Sequence, residues 1–105
     1  MKQASPYIDA GKKTIEFSLQ SDYENQVSIE GVHQVSLAGS FNHWSQDVLL
    51  LSQDKDGVWK IQIPLLPKGK YHYKFFVDDK MWLEDVANSY REPDGFTGFY
   101  SVLIV

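Results

Sequence analysis

Apolar and polar side chains alternate with a period of two through much of this chain, and no other feature limits its fold so strongly. In T-I-E-F-S-L-Q, Ile15, Phe17 and Leu19 fall on one side while Thr14, Glu16, Ser18 and Gln20 fall on the other. In W-K-I-Q-I-P-L, Trp59, Ile61, Ile63 and Leu65 share a side against Lys60 and Gln62. The longest run sets Tyr71, Tyr73, Phe75 and Val77 against His72, Lys74, Phe76 and Asp78. Successive strand residues point to opposite faces, so each run predicts a strand with one buried face. Helical spacing is nearly absent. Further strands are expected over 32–38, with Val35 and Leu37 inward, and over 48–51, 81–84 and 99–105.

Turn residues punctuate these runs. Gly57 closes S-Q-D-K-D-G, Pro67 and Gly69 frame L-P-K-G, and D-D-K follows Val77. Pro64 argues for a strand end or an edge. Residues 85–97 read as polar and irregular, broken by Pro93 and Asp94-Gly95. Seven or eight short strands with turns between them predict an all-β sandwich. At 105 residues and 43% hydrophobic content the chain suits one packed domain over 1–105, with 1–12 expected to be loosely ordered.

Composition narrows the function. With no cysteine, disulfides, thiolate metal sites and thiol catalysis are excluded, and a reducing compartment is the natural setting. No run approaches the roughly 20 apolar residues of a membrane span, and the first residues lack a signal-peptide core, so a soluble cytoplasmic protein is expected, with no membrane partner. A net charge of −4 argues against nucleic acid. Lys68, Lys70 and Lys74 are the nearest approach to a basic cluster, and Asp78 and Asp79 follow at once.

Enzymatic readings find little support. Glycoside hydrolysis needs two carboxyl groups across a cleft. Asp78, Asp79, Glu84 and Asp85 instead cluster at turns, where charge is ordinarily solvated. His33, His43 and His72 are far apart in sequence, so no metal site is expected. Ser40 lies in A-G-S-F, which is not a nucleophile elbow, and phosphate-cradling glycine signatures are missing. No catalytic residue and no cofactor is assigned.

Two tryptophans stand out instead. Trp44 ends L-A-G-S-F-N-H-W, and Trp82 follows the D-D-K turn. Either ring can fold back on its own sheet to fill an edge, as large apolar rings commonly do. Either can also stay open and stack on the apolar face of a sugar, with Asn42 and His43 bonding hydroxyls. Met81 and Trp82 alternate, so one of them is expected to face in. Trp59 sits with Ile61 and Ile63 and is assigned to the core. Lys74 is either a solvated strand lysine or, sharing a face with Trp82, a donor to sugar hydroxyls.

Three segments taken together, V-S-L-A-G-S-F-N-H-W-S, K-G-K-Y-H-Y-K-F-F-V-D-D-K-M-W and D-G-F-T-G-F-Y-S-V-L-I-V, resemble the family 48 carbohydrate-binding modules. That family includes the glycogen-binding domain of the AMP-activated protein kinase β subunit and the N-terminal modules of isoamylases and branching enzymes. The resemblance covers roughly 14–105 and implies an early-set, immunoglobulin-like β-sandwich. It implies non-catalytic binding of α-1,4-glucans such as glycogen, starch or maltooligosaccharides. Trp44 and Trp82 match the family's stacking rings, and Lys74 matches its sugar-bonding lysine. In the loop before the last strand, Phe96 stands at an apolar position and Thr97 near a threonine. Tyr100 replaces the family's asparagine. Many members attached to enzymes serve mainly as packing modules. A second expectation is therefore docking onto a glucan-metabolising enzyme or a kinase.

Overall fold

The computed structural model describes residues 4–105. Among these, ten strands form two antiparallel sheets that pack as a β-sandwich. One sheet carries β1 (Tyr7–Asp9), β2 (Thr14–Leu19), β6 (Trp59–Pro64) and β5 (Ser52–Gln53), in the order β1-β2-β6-β5. The other runs β4-β3-β7-β10-β9: β4 (Leu49–Leu50), β3 (Val35–Gly39), β7 (Lys70–Val77), β10 (Phe99–Ile104) and β9 (Arg91–Pro93). β8 (Met81–Leu83) pairs with the far end of β7.

The alternation in the sequence becomes the core. Ile15, Phe17 and Leu19 of β2 meet Val35 and Leu37 of β3 and Tyr73, Phe75 and Val77 of β7, all buried. The edge of the Tyr73 ring meets Phe17, with centroids 4.9 Å apart at 72°, and joins the two sheets. Trp59 and Ile63 are buried and Ile61 packs partly against the same cluster, but Leu65, expected inward, is exposed. β6 ends at Pro64, so Leu65 lies past the last paired position.

Three further expectations differ. Part of the segment expected to be loose forms β1, an edge strand whose Tyr7 stands opposite Glu16; residues 1–3 lie outside the described residues. The irregular stretch 85–97 contains β9, which pairs Arg91 with Ser101. Neither Met81 nor Trp82 enters the core: both are exposed, and Leu83, opposite Phe75, is the β8 side chain that reaches it.

One buried carboxylate ties the N-terminal segment to the sandwich. Asp85 accepts hydrogen bonds from the hydroxyls of Ser5 and Tyr73 and from the Ala87 amide. Its own amide donates to Ser101 Oγ at 2.8 Å. Ser5 Oγ in turn accepts the Ser18 amide of β2 at 3.1 Å. Burial pushes the Asp85 carboxyl up to about 6 despite these donors.

Candidate functional site

Once Tyr73, Phe75 and Val77 turn inward, period two leaves His72, Lys74 and Phe76 on the outer face of the six-stranded sheet. The register decides what flanks them. Trp82 stands opposite Phe76 across the β7–β8 hairpin, and Ala38 stands opposite Lys74. Ser101 pairs with Tyr73, which sets Tyr100 beside Lys74 on the same face. The Trp82 ring lies on Phe76, centroids 4.5 Å apart at 38°, and stays 39% exposed. It therefore covers a strand residue with one side and keeps surface for something else.

Trp44 reaches this face by a different route. Gly39 ends β3, a single 3-10 turn runs Ser40–Asn42, and His43 and Trp44 then both adopt left-handed backbone, at φ 57° and 59°. That conformation costs a non-glycine residue roughly 1–2 kcal/mol, so the surroundings must enforce it. The Gly39 amide donates to Asn42 Oδ1 at 3.0 Å, and Asn42 Nδ2 donates to the Leu37 carbonyl. The Trp44 amide donates back to the Gly39 carbonyl at 2.9 Å. Gly39 itself is required by close approach, because a Cβ there would stand 2.6 Å from the His72 carbonyl oxygen.

The rings then form a continuous belt. Trp44 and Trp82 meet edge to face, centroids 6.3 Å apart at 75°. Trp44 and Tyr100 lie 5.2 Å apart, and Tyr100 stacks on His72 at 4.8 Å and 24°. Beyond His72, Glu92 accepts from Lys70 at 2.8 Å and bonds His72 Nε2 at 2.6 Å. Lys70 first and His72 next hold the Glu92 carboxyl below its ordinary range.

The loop before β10 closes the other side. Asp94 Oδ1 accepts the Phe96 amide at 2.8 Å and the Gly98 amide at 3.3 Å, while Oδ2 binds Lys74 Nζ at 2.8 Å. The lysine holds the Asp94 carboxyl below the usual carboxylate range, helped by the Phe96 amide. Lys74 Nζ also lies 5.5 Å from the Tyr100 ring centre. Folded in this way, the loop leaves Phe96 90% exposed.

These parts enclose an open depression of about 400 Å³, bordered by Trp44, Trp82, Phe96, Tyr100, Lys74, Asp94 and Gln46. Aromatic walls with a few fixed polar groups suit a ligand that has both apolar faces and hydroxyls. Of the residues singled out in the sequence, Trp44, Trp82, Lys74, Phe96 and Tyr100 come together here. Asn42 and Thr97 do not line the depression: the Asn42 amide is occupied in the loop that carries Trp44, and Thr97 lies exposed on its own loop. Gln46 and Asp94 were not anticipated. Asp94 had a signal in D-G-F-T-G, where an aspartate before glycine can fold a turn on its own carboxylate; Gln46 had none. Among the described residues, no group of three His, Asp or Glu side chains is arranged to hold a metal ion. Among them, too, no helix is long and apolar enough to cross a membrane.

Residues 27–101 match the family described as the glycogen recognition site of AMP-activated protein kinase, and the chain belongs to that family. It is 41% identical over 56 residues to the human 5'-AMP-activated protein kinase subunit beta-2, covering 53% of this chain and 19% of the relative. It is 44% identical over 55 residues to the rat subunit beta-1, covering 52% of this chain and 18% of the relative. The matched part thus spans about one fifth of these relatives. In fold, a putative α-amylase from Salmonella typhimurium superposes with a TM-score of 0.67 over 97% of this chain and 14% of the amylase, at 20% identity.

Proposed function

We propose that this chain binds α-1,4-linked glucans without catalysis, using Trp44 and Trp82 as a stacking platform. The carrying observation is the belt of rings gathered beside one lysine in an open depression. A pyranose ring has an apolar face of C–H groups that can lie on an indole, and equatorial hydroxyls that then point sideways to polar neighbours. Lys74 Nζ has N–H groups beyond the one given to Asp94, and Tyr100, which carries a hydroxyl, borders the same depression. Membership of a glycogen-recognition family supports glucan as the sugar. Phe96 walls the open end. Thr97 is retained as a contact of secondary weight from the rim of its loop, and Asn42 acts on the ligand through Trp44. Catalysis by a carboxylate pair is disfavoured because, among the described residues, one carboxylate borders the depression, Asp94, and it is engaged by Lys74. The absence of cysteine favours a cytoplasmic setting for this role.

Titration of the domain with β-cyclodextrin and maltoheptaose, followed by tryptophan fluorescence, tests the platform. Saturable binding is expected, and Trp44→Ala or Trp82→Ala should weaken it at least about tenfold with the fold retained by circular dichroism. Unchanged affinity in both variants would sink the platform. Docking onto a glucan-metabolising enzyme or a kinase is the second reading, favoured by the kinase subunits among the relatives. Indifference to both sugars, together with co-purification of such a partner, would favour it instead.

A further inference from the structure

We propose that Asp94 is a specificity-determining residue: by neutralising Lys74 inside the depression, it restricts the site to uncharged sugar units and turns away glucans that carry phosphate. The proposal rests on the glucan-binding reading above and adds a selection that reading does not contain.

Among the described residues, Lys74 and Asp94 are the two charged side chains that border the depression. They are paired at 2.8 Å, with side-chain exposures of 17% and 9%, far less solvated than the Lys70–Glu92 pair at 50% and 34%. An unpaired lysine here would make the floor of an aromatic cleft cationic and attractive to any phosphate borne on the sugar. The structure instead sets a carboxylate at the same spot. Asp94 is not free to swing away, because Oδ1 is fixed by the Phe96 and Gly98 amides while Oδ2 holds the lysine. The local sequence is shaped around the pair: a Cβ on Gly98 would stand 3.1 Å from Asp94 Oδ2 and 3.8 Å from Lys74 Nζ. The neighbouring charges beyond His72, Lys70 and Glu92, are likewise paired with one another. An uncharged hydroxyl can still accept from Lys74 or donate to Asp94. A phosphate meets the carboxylate at close range.

The experiment compares β-cyclodextrin with sulfated β-cyclodextrin, by calorimetry, on the wild-type domain, Asp94→Asn, Lys74→Gln and the double variant. Asparagine keeps an acceptor oxygen for the Phe96 and Gly98 amides, and the backbone shifts of those two residues check that the loop is intact. Relative to wild type, D94N should move the sulfated-to-neutral affinity ratio roughly tenfold toward the sulfated ring at low salt. High salt should shrink that gain. K74Q should move the ratio the other way, and the double variant should lose the gain. If D94N disturbs the loop, the wild type decides: a sulfated ring bound at low salt as tightly as the neutral ring, or tighter, overturns the proposal. Ratios within twofold of wild type in D94N and K74Q would overturn the proposal while leaving the platform standing, provided that wild type binds the neutral ring and Trp82→Ala does not. A wild-type domain that binds neither ring would overturn both.

Discussion

Asn42 and Asp85 show how one polar side chain can be read in its composition and missed in its use. An asparagine two positions before a candidate sugar-stacking tryptophan reads as a sugar contact. In the structure its amide bridges the Gly39 amide and the Leu37 carbonyl, and so holds the loop in which Trp44 takes left-handed backbone. Sequence carries residue type but not which partner gets the hydrogen bond. Asp85 reads as one more solvated turn carboxylate, yet it is 1% exposed and bonded by Ser5, Tyr73 and Ala87. The Ala87 amide is a local turn partner, but Ser5 and Tyr73 come from distant parts of the chain, so no local pattern announces them. Its carboxyl, pushed up to about 6 by burial, lies above its unfolded value near 4. Its contribution to stability is therefore complete below pH ~4, declines as pH rises toward 6, and is lost above that. The difference is on the order of 3 kcal/mol. Asp54, Asp78, Glu92 and Asp94 are shifted the opposite way, so their contributions fade only at lower pH. The urea midpoint should therefore rise between pH 7 and pH 5, and Asp85→Asn should flatten that rise. A slope identical in the two proteins would remove Asp85 from the account.

At the scale of elements, the long alternating runs were legible because each strand has one wet and one dry face. β2, β6 and β7 appear close to where the pattern puts them. β1 and β9 have three residues each, too few for a period to show, and they exist because longer neighbours offer them edges. The β7–β8 hairpin was visible as D-D-K, and its turn explains why Trp82 is so well placed. Asp78 and Asp79 both have positive φ, 53° and 56°, and the Lys80 amide donates to the Val77 carbonyl, as in a type I′ turn. Asp78 is suited to its strained position because Oδ1 accepts the His33 and Gln34 amides at 2.8 and 2.9 Å. Asp79 is exposed, and a glycine would take its conformation without strain. Asp79→Gly should thus leave Tm unchanged or a few degrees higher, whereas Asp78→Ala should lower it by several degrees and loosen the hairpin that carries Trp82. Equal thermal shifts from the two substitutions would contradict this division of roles.

On the scale of the whole molecule, the sandwich divides its labour between its surfaces. The inner faces hold the sheets together through Phe17, Tyr73 and their neighbours. The depression on the outer face of the six-stranded sheet is bordered, among the described residues, by aromatic rings from four separate parts of the chain: the loop after β3, β8, the loop before β10, and β10 itself. That convergence could not be read from spacing, since it depends on the β3-β7-β10 order and on β8 folding back over Phe76. Membership of the glycogen-recognition family agrees with a surface of this kind. The most direct test is a map of backbone and indole NMR shifts during titration with maltoheptaose. Perturbations should gather at Trp44, Lys74, Trp82, Phe96 and Tyr100, and leave β2 and β6 of the opposite sheet silent. Saturable shifts centred on β2 and β6, or no shifts at all, would contradict the account.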